Sequence, residues 1–460
     1  QMMVIPYYLP PIVGALAWSL LGAERTGIIN VFYRAIFGAT DPLVNTHSPL
    51  GIIFAMAIFD GTVAFIMISA AMKSMDPALE ESSTVLGAGR FYTAARVTVP
   101  LLIPAVLGSG ILIFAEMMGS FSIPAILGMN VRFFVVTTGI YSLLTGFPPN
   151  YAASAALGLS LFVFTAGSVY LYGRILKGGN FVTITGKAFR PRLVDMGRWT
   201  PLLFAVCVTY LMLAVILPLG ALIYASFLTY LTTTAGNINW TLDNYNQVIF
   251  GYGPARVAIR NSFMLGLLTA SIGVVFMGLL SWIMYRTSIK GRGLLEYVVM
   301  FPQAVPRMVL ALGLLWAWLV VPIGIYGTIW ILLLAYLTVF LPIGVRSITS
   351  VILQIDKSLE ECARVCGASW LRTLRTITMP LLRPGLMSAW VLLFIVALRE
   401  ISTSILLVTG KNMVLGPSIF VFYEMGGLAA VSALAVILSA IIFAALIVVR
   451  LVAGKSVIAE

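Results

Sequence analysis

Long runs of Leu, Ile, Val, Ala and Phe alternate with short polar stretches along the chain. The runs recur near 3–22, 51–72, 103–126, 152–173, 201–228, 262–285, 295–319, 327–345, 385–407 and 430–449. Each is about 20 residues, the length an α-helix needs to cross the hydrocarbon core of a bilayer, so the pattern predicts ten spans. Several contain Pro or Gly, which membrane helices tolerate where neighbouring helices satisfy the freed backbone groups. The expected fold class is therefore all-α, a polytopic membrane protein. Composition points the same way: 60% of the 460 residues are hydrophobic and 10% charged, with a mean hydropathy of +1.04. A soluble domain built from this mixture would lack polar surface.

Net charge is +12, and the placement of the basic residues explains it. With the segment between Arg174 and Thr200 on the cytoplasmic side and the spans threaded alternately, 20 of the 28 Lys and Arg fall inside. Arg25, Arg34, Arg132, Arg256, Arg260 and Lys411 fall outside, and Arg307 and Arg399 lie within spans. Such an asymmetry sets orientation. The connector holds Arg174, Lys177, Lys187, Arg190, Arg192 and Arg198 against Asp195 alone. That is the composition of a basic linker lying against anionic lipid, so lipid, and no nucleic acid, is the expected partner of this charge. The cysteines are Cys207, Cys362 and Cys366. The last two sit on the expected cytoplasmic side, where a disulfide is disfavoured, and two thiols with the single His47 make no metal site.

The chain repeats itself. The segment "DPALEESSTVLGAGRFYTAARVTVPLLIPA" starts at Asp76 and "DKSLEECARVCGASWLRTLRTITMPLLRPG" starts at Asp356, an offset of 280 positions that holds throughout. Each lies between two predicted spans. Upstream, Pro6 and Pro10 in "IPYYLPP" match Pro302 and Pro306 in "FPQAVPR" at an offset of 296, so the first half carries 16 extra residues between these landmarks, which fit the longer outer loop from Ala23 to Ser48. Three regions follow: a first half at 1–177, a cytoplasmic linker at 178–199 and a second half at 200–460 with six spans. The first half starts at the equivalent of the third span, and the chain opens on Gln-Met-Met inside an apolar run. Its N-terminus therefore reads as truncated. The parallel order of the repeats implies a pseudo-two-fold axis along the membrane normal.

Each repeated segment reads as an amphipathic helix, a glycine turn, a second helix and a proline at re-entry into the membrane. Glu80 and Glu81, like Glu360 and Glu361, put acidic pairs near a helix start, where the dipole favours them. Gly87 and Gly367 allow the positive φ of a reversal, and Pro100 and Pro380 suit a helix start. Leu-Glu-Glu, then Gly-Ala at 87–88 and 367–368, then "VPLLIP" or "MPLLRP", resembles the cytoplasmic EAA loop of binding-protein-dependent ABC importer permeases. The resemblance covers nearly the whole chain, once per half, and implies a type I importer permease fold. It also implies a helix in each loop that docks in a cleft of a cytoplasmic ATPase subunit. Glu80, Glu81, Gly87, Ala88, Glu360, Glu361, Gly367 and Ala368 are then contact or turn residues. In place of the small residues usual after the acids stand Ser82 and Ser83, and Cys362 and Ala363. The linker "FVTITGKAFRPRLVDMGRW", with "AEMMGSFSIPAILG" around Glu116 and "VALREISTSILLVTG" around Glu400, looks most like the ferric-iron importer permeases. Fused permeases for thiamine, phosphonates, polyamines and sugar phosphates share similar patterns.

No complete phosphate-binding loop occurs: "AGKS" at 453–456 has Val449 where the earlier glycine belongs, so no backbone cradle forms. The chain is therefore expected to bind no cofactor and to be no enzyme, with ATP and magnesium held by partner ATPases, one for each of the two loops. Ionisable residues inside spans are costly, so Asp60, Glu116, Arg307, Arg399 and Glu400 are expected to face the bundle. At the 280 offset Glu400 matches Ser120, one turn beyond Glu116. Two readings stand side by side: an ion pair of the acids with Arg307 or Arg399, and a translocation pathway lined by Glu116, Ser120, Arg399 and Glu400. Ferric iron would favour Asp, Glu and Tyr oxygens, but Tyr7, Tyr8, Tyr141 and Tyr423 near outer regions read as interfacial anchors. Recognition is expected on an extracytoplasmic binding protein docking at 127–150 and 408–429. The rivals are an ion-coupled secondary transporter and a membrane-embedded enzyme, for which no clustered His, Cys or carboxylate set exists.

Overall fold

A computed structural model describes residues 2–178, 197–230, 239–251 and 253–453. Most of the basic linker, 179–196, lies outside the described residues. Among those described, the chain is helical, with a single isolated bridge between Leu228 and Trp240. It forms two compact units that divide between Leu222 and Ile223.

The first unit is centred on α1 (Pro11–Gly22), whose residues from Ile12 onward are all buried. Around it lie α2 (Pro49–Lys73), the short α3 (Pro77–Val85), α4 (Val99–Met118), α5 (Ser122–Gly128), α6 (Val136–Thr145) and α7 (Tyr151–Gly178). The outer loop expected at 23–48 carries a helix, Ile28–Phe37, tied down by the buried Asn30. Its Nδ2 donates to the carbonyls of Ala23 at 2.9 Å and Val44 at 2.6 Å. Helix α8 (Thr200–Leu211), assigned by sequence to the second half, belongs to this first unit. Tyr210 is the reason: its hydroxyl donates to the Ile58 carbonyl at 2.6 Å and meets Thr62 Oγ1 at 2.8 Å, both on α2. The compact units therefore divide inside the long helix Gly197–Ser226 rather than in the linker.

The second unit is built on α9 (Gly253–Arg286), with α10 (Arg292–Met300), α11 (Arg307–Val320), α12 (Ile329–Gln354), the short α13 (Ser358–Val365), α14 (Met379–Arg399), α15 (Leu415–Glu424) and α16 (Leu428–Ala453). Helices α9, α12 and α14 form its core. Polar stitches hold the non-helical stretch before α15: Asn261 donates to the carbonyls of Lys411 at 3.3 Å and Met413 at 3.0 Å, and Ser262 Oγ accepts from the Leu415 amide at 2.7 Å. Small residues let backbones approach, as is usual in membrane bundles. At Gly385 on α14, an added Cβ would lie 2.4 Å from Val351 Cγ2 on α12.

Among the described residues, eight helices are unbroken and long and apolar enough to cross a bilayer, and up to eleven spans result if three bent pairs are counted. Two of the ten expected spans are corrected to bent pairs. The segment at 3–22 turns by 99° between Met2–Tyr8 and α1, and that at 295–319 by 107° between Arg292–Ala304 and α11. The bends fall at Pro10 and Pro306, both extended (ψ 134° and 137°) and both without an amide donor. The third pair, Ser122–Val131 with α6, bends by 69°, so the expected outer loop at 127–150 is largely helical. Leu159, Val163 and Phe164 on α7 and Val275 and Leu279 on α9 point outward, as lipid-facing side chains do.

The α12–α14 contact yields a test. Gly385→Ala is expected to destabilise the protein in detergent or bilayer by about 1–3 kcal/mol through overpacking. Val351→Ala in the same chain should restore most of the loss in thermal unfolding.

Candidate functional site

The repeated segments fold as near copies. Asp76 caps α3 by accepting the Ala78 amide at 2.9 Å, and Asp356 accepts the Ser358 amide at 2.9 Å ahead of α13. That bond holds the Asp356 carboxyl below its usual value. Both helices end in the same left-handed glycine, Gly87 at φ 84° and Gly367 at φ 80°. The amide of Ala88 reaches the Ser83 carbonyl at 3.1 Å, and that of Ala368 reaches Ala363 at 2.9 Å. The glycine amides reach Thr84 at 3.0 Å and Arg364 at 2.9 Å. This paired closure satisfies the orphan carbonyls of a helix end, and glycine adopts it without a Cβ penalty. Short helical turns follow, Arg90–Thr93 and Trp370–Thr373, then five-residue π turns at Ala94–Thr98 and Leu374–Thr378 that run into α4 and α14.

The acidic pairs do not act as pairs. The first acid of each turns inward: Glu80 Oε1 accepts Thr98 Oγ1 at 2.6 Å, and Glu360 Oε1 accepts Thr378 Oγ1 at 3.4 Å. Glu360 is buried and also lies 3.8 Å from Arg286. The second acids, Glu81 and Glu361, are exposed. Behind the helices, Ser83 Oγ meets Thr93 Oγ1 at 2.9 Å. In the second loop Ala363 stands in place of Ser83, and the buried Thr373 Oγ1 is left without a partner. Outward, each loop carries an apolar tip: Val85, Leu86 and Phe91 in the first, Val365, Trp370 and Leu371 in the second. Val85 and Val365 are 87% and 88% exposed. Each loop thus presents exposed apolar side chains beside an exposed carboxylate. The Thr98 and Thr378 anchors and Arg286 are partners of the acids that the motif alone does not mark, although both threonines recur at the 280 offset.

Of the expected pathway residues, Arg307 and Glu400 come together. Helix α14 ends at Arg399 and Glu400 leaves it in extended conformation. Its Oε2 accepts Arg307 Nη1 at 3.0 Å and its Oε1 the Thr403 amide at 2.8 Å. Its carbonyl takes Ser404 Oγ at 3.2 Å and the Tyr336 hydroxyl at 3.4 Å. The carboxylate is 1% exposed and the arginine side chain 45%, so a buried acid holds a half-exposed guanidinium at the start of α11. Arg399 is half-buried at the end of α14. Ser120, the counterpart of Glu400, lies just beyond α4, with its carbonyl accepting Thr137 Oγ1 at 2.7 Å. Glu116 is exposed on α4.

The spans and the two loops between them belong to a membrane component of a transport system, as the family match shows. The chain is a member of the family of binding-protein-dependent transport system inner membrane components, which matches residues 2–177 and 275–456. It is 28% identical over 424 residues to a ferric transport system permease protein of Actinobacillus pleuropneumoniae, covering 89% of this chain and 59% of that protein. It is 29% identical over 420 residues to a putative ferric transport system permease protein of Haemophilus influenzae, covering 89% and 64%. A spermidine/putrescine transport system permease protein of Haemophilus influenzae is 28% identical over 213 residues, 46% of this chain and 82% of that protein. The chain thus spans about six-tenths of the length of the ferric relatives.

Two predictions follow from this geometry. Cys362 and Cys366 are free and exposed, so a membrane-impermeant thiol reagent should label them in inside-out vesicles and not in intact cells. The reverse would place the loops outside. Glu400→Gln keeps an acceptor for the Thr403 amide but removes the charge facing Arg307. The expected stability loss is modest, about 1–3 kcal/mol, because Arg307 can be solvated, while substrate-stimulated ATPase falls. Normal transport by the variant would remove Glu400 from the pathway.

Proposed function

We propose that this chain is the permease subunit of an ATP-driven importer that receives ferric iron from an extracytoplasmic binding protein and passes it inward by alternating access. The observation that carries the reading is the duplicated loop: one capped helix per half, with one acid turned in and one out beside an apolar tip. Such a surface suits a cleft with a basic rim and an apolar floor. Burying Val85 and Leu86, or Val365 and Trp370, is worth about 1.5–3 kcal/mol per side chain, and Glu81 and Glu361 add charge pairing at the rim. Two ATPase subunits, one per loop, then hold ATP and magnesium, and this chain supplies no nucleotide site. Glu116, Ser120, Arg399 and Glu400 are assigned to the pathway. Segments 127–150 and 408–429 receive the binding protein.

Ferric iron is preferred because the two ferric relatives match along both halves, whereas the spermidine/putrescine relative matches less than half of the chain. Thiamine, phosphonate, polyamine or sugar phosphate remain substrates of the same importer class, and an ion-coupled secondary cycle is the alternative of a different class. The discriminating assay reconstitutes the full permease with its ATPase and tests which substrate-loaded binding protein stimulates ATP hydrolysis. Stimulation by the ferric-loaded protein supports iron. Transport driven by an ion gradient without ATP overturns the importer reading.

Charge reversal of the outward acids tests the loops themselves. Glu81→Lys and Glu361→Lys lie outside the spans and should leave yield and thermal stability unchanged. Each should lower ATPase binding about tenfold, the size of a lost interfacial charge contact of about 1.4 kcal/mol. Normal ATPase association and uptake in both variants would remove the loops from coupling.

A further inference from the structure

Helix α9 ends on Arg286, whose side chain is 4% exposed. A buried guanidinium must find acceptors, and this one finds them on other elements. Its Nη2 donates to the carbonyls of Ile352 at 2.7 Å and Ile355 at 2.5 Å, closing the C-terminal end of α12, where the helix dipole also favours a cation. Its Nη1 lies 3.8 Å from Glu360 Oε1 on α13 and makes no hydrogen bond. The same oxygen takes Thr378 Oγ1, in the π turn leading into α14. One guanidinium thus joins the ends of α9, α12 and the loop helix α13, and the threonine adds α14.

The Arg286–Glu360 contact is at ion-pair distance, roughly 1 Å beyond a charge-assisted hydrogen bond. An approach of α13 by that amount closes it, in a place where little water competes. Withdrawal leaves two buried charges apart, which is unfavourable. The contact therefore resists being pulled open and yields to being pushed shut.

We propose that Arg286 is a positioning residue for coupling: it latches the second loop to α9 and α12, so that displacement of α13 is passed to those spans. The proposal rests on the reading of these loops as the ATPase-docking surface. A ligand-driven displacement shifts the bundle only if the two states differ in interaction energy, and a contact that is long in one state and closed in another supplies such a difference.

The test uses the full permease reconstituted with its ATPase and binding protein, and reads substrate transported per ATP hydrolysed. Arg286→Gln and Glu360→Gln should each lower that ratio about tenfold, a coupling change of about 1.4 kcal/mol. The double variant should be no worse than either single one, since the two residues act as a unit. Should Arg286→Gln fail to assemble, Glu360→Gln carries the test alone, because it leaves the closure of α12 intact. Additive losses, or variants that lose only yield and thermal stability with an unchanged ratio, overturn the latch. If Glu81→Lys and Glu361→Lys uncouple transport while Arg286→Gln and Glu360→Gln do not, the latch fails and the docking reading stands. If none of the four affects the ratio, the docking reading fails first.

Discussion

Inside a bilayer no water is at hand to satisfy a backbone amide or carbonyl, so wherever a helix stops at membrane depth something else must take its place. Several of the places where this chain stops its helices are met by buried polar side chains. Glu400 leaves α14, and Ser404, Tyr336, Thr403 and Arg307 close around it. Helix α12 ends, and Arg286 takes its carbonyls. The stretch before α15 is non-helical, and Asn261 and Ser262 bind it from α9. In the first unit Thr137 binds Ser120 in the same way. A chain with only 10% charged residues uses many of its buried ones at such breaks.

This constraint also explains what became of the intramembrane charges. A buried carboxylate beside a half-exposed guanidinium is an arrangement with two consequences. It satisfies the acid, and it fixes the position of the arginine without removing it from solvent. Glu400 is the anchor and Arg307 is the group on display. The pair is thus at once the structural ion pair and a candidate surface of the pathway, two readings that the sequence presents as alternatives.

Helix positions were legible in the sequence because a span must be long and apolar, and the duplicated loops because capping residues are local. Asp at the start, Gly at positive φ and Pro at re-entry each act within a few residues, so spacing alone reveals them. The 99° and 107° bends were less legible. Pro10 and Pro306 were visible as a matched pair, yet a membrane helix tolerates proline, and only packing decides whether it kinks or breaks. The membership of α8 was hidden for the same reason. Nothing local to Tyr210 reveals that its hydroxyl is bound to α2, far away in the chain. The division of labour within each acidic pair was hidden too: adjacent glutamates lie about 100° apart on a helix, and which one turns inward depends on Thr98 and Thr378, 18 positions later.

The two loops show how duplication preserves a backbone while freeing the groups behind it. Caps, glycine geometry and π turns agree to within a few tenths of an ångström and a few degrees, because they are fixed by hydrogen bonds internal to each segment. The supports differ. Ser83 binds Thr93 in one loop, and Ala363 leaves Thr373 without a partner in the other. Loss of that hydroxyl pair loosens the hairpin of the second loop from within, at the loop where Glu360 is more deeply buried and faces Arg286. The second loop is attached through Arg286 to the ends of α9 and α12 and through Thr378 to the turn entering α14, so displacement of α13 is opposed by contacts on three membrane helices.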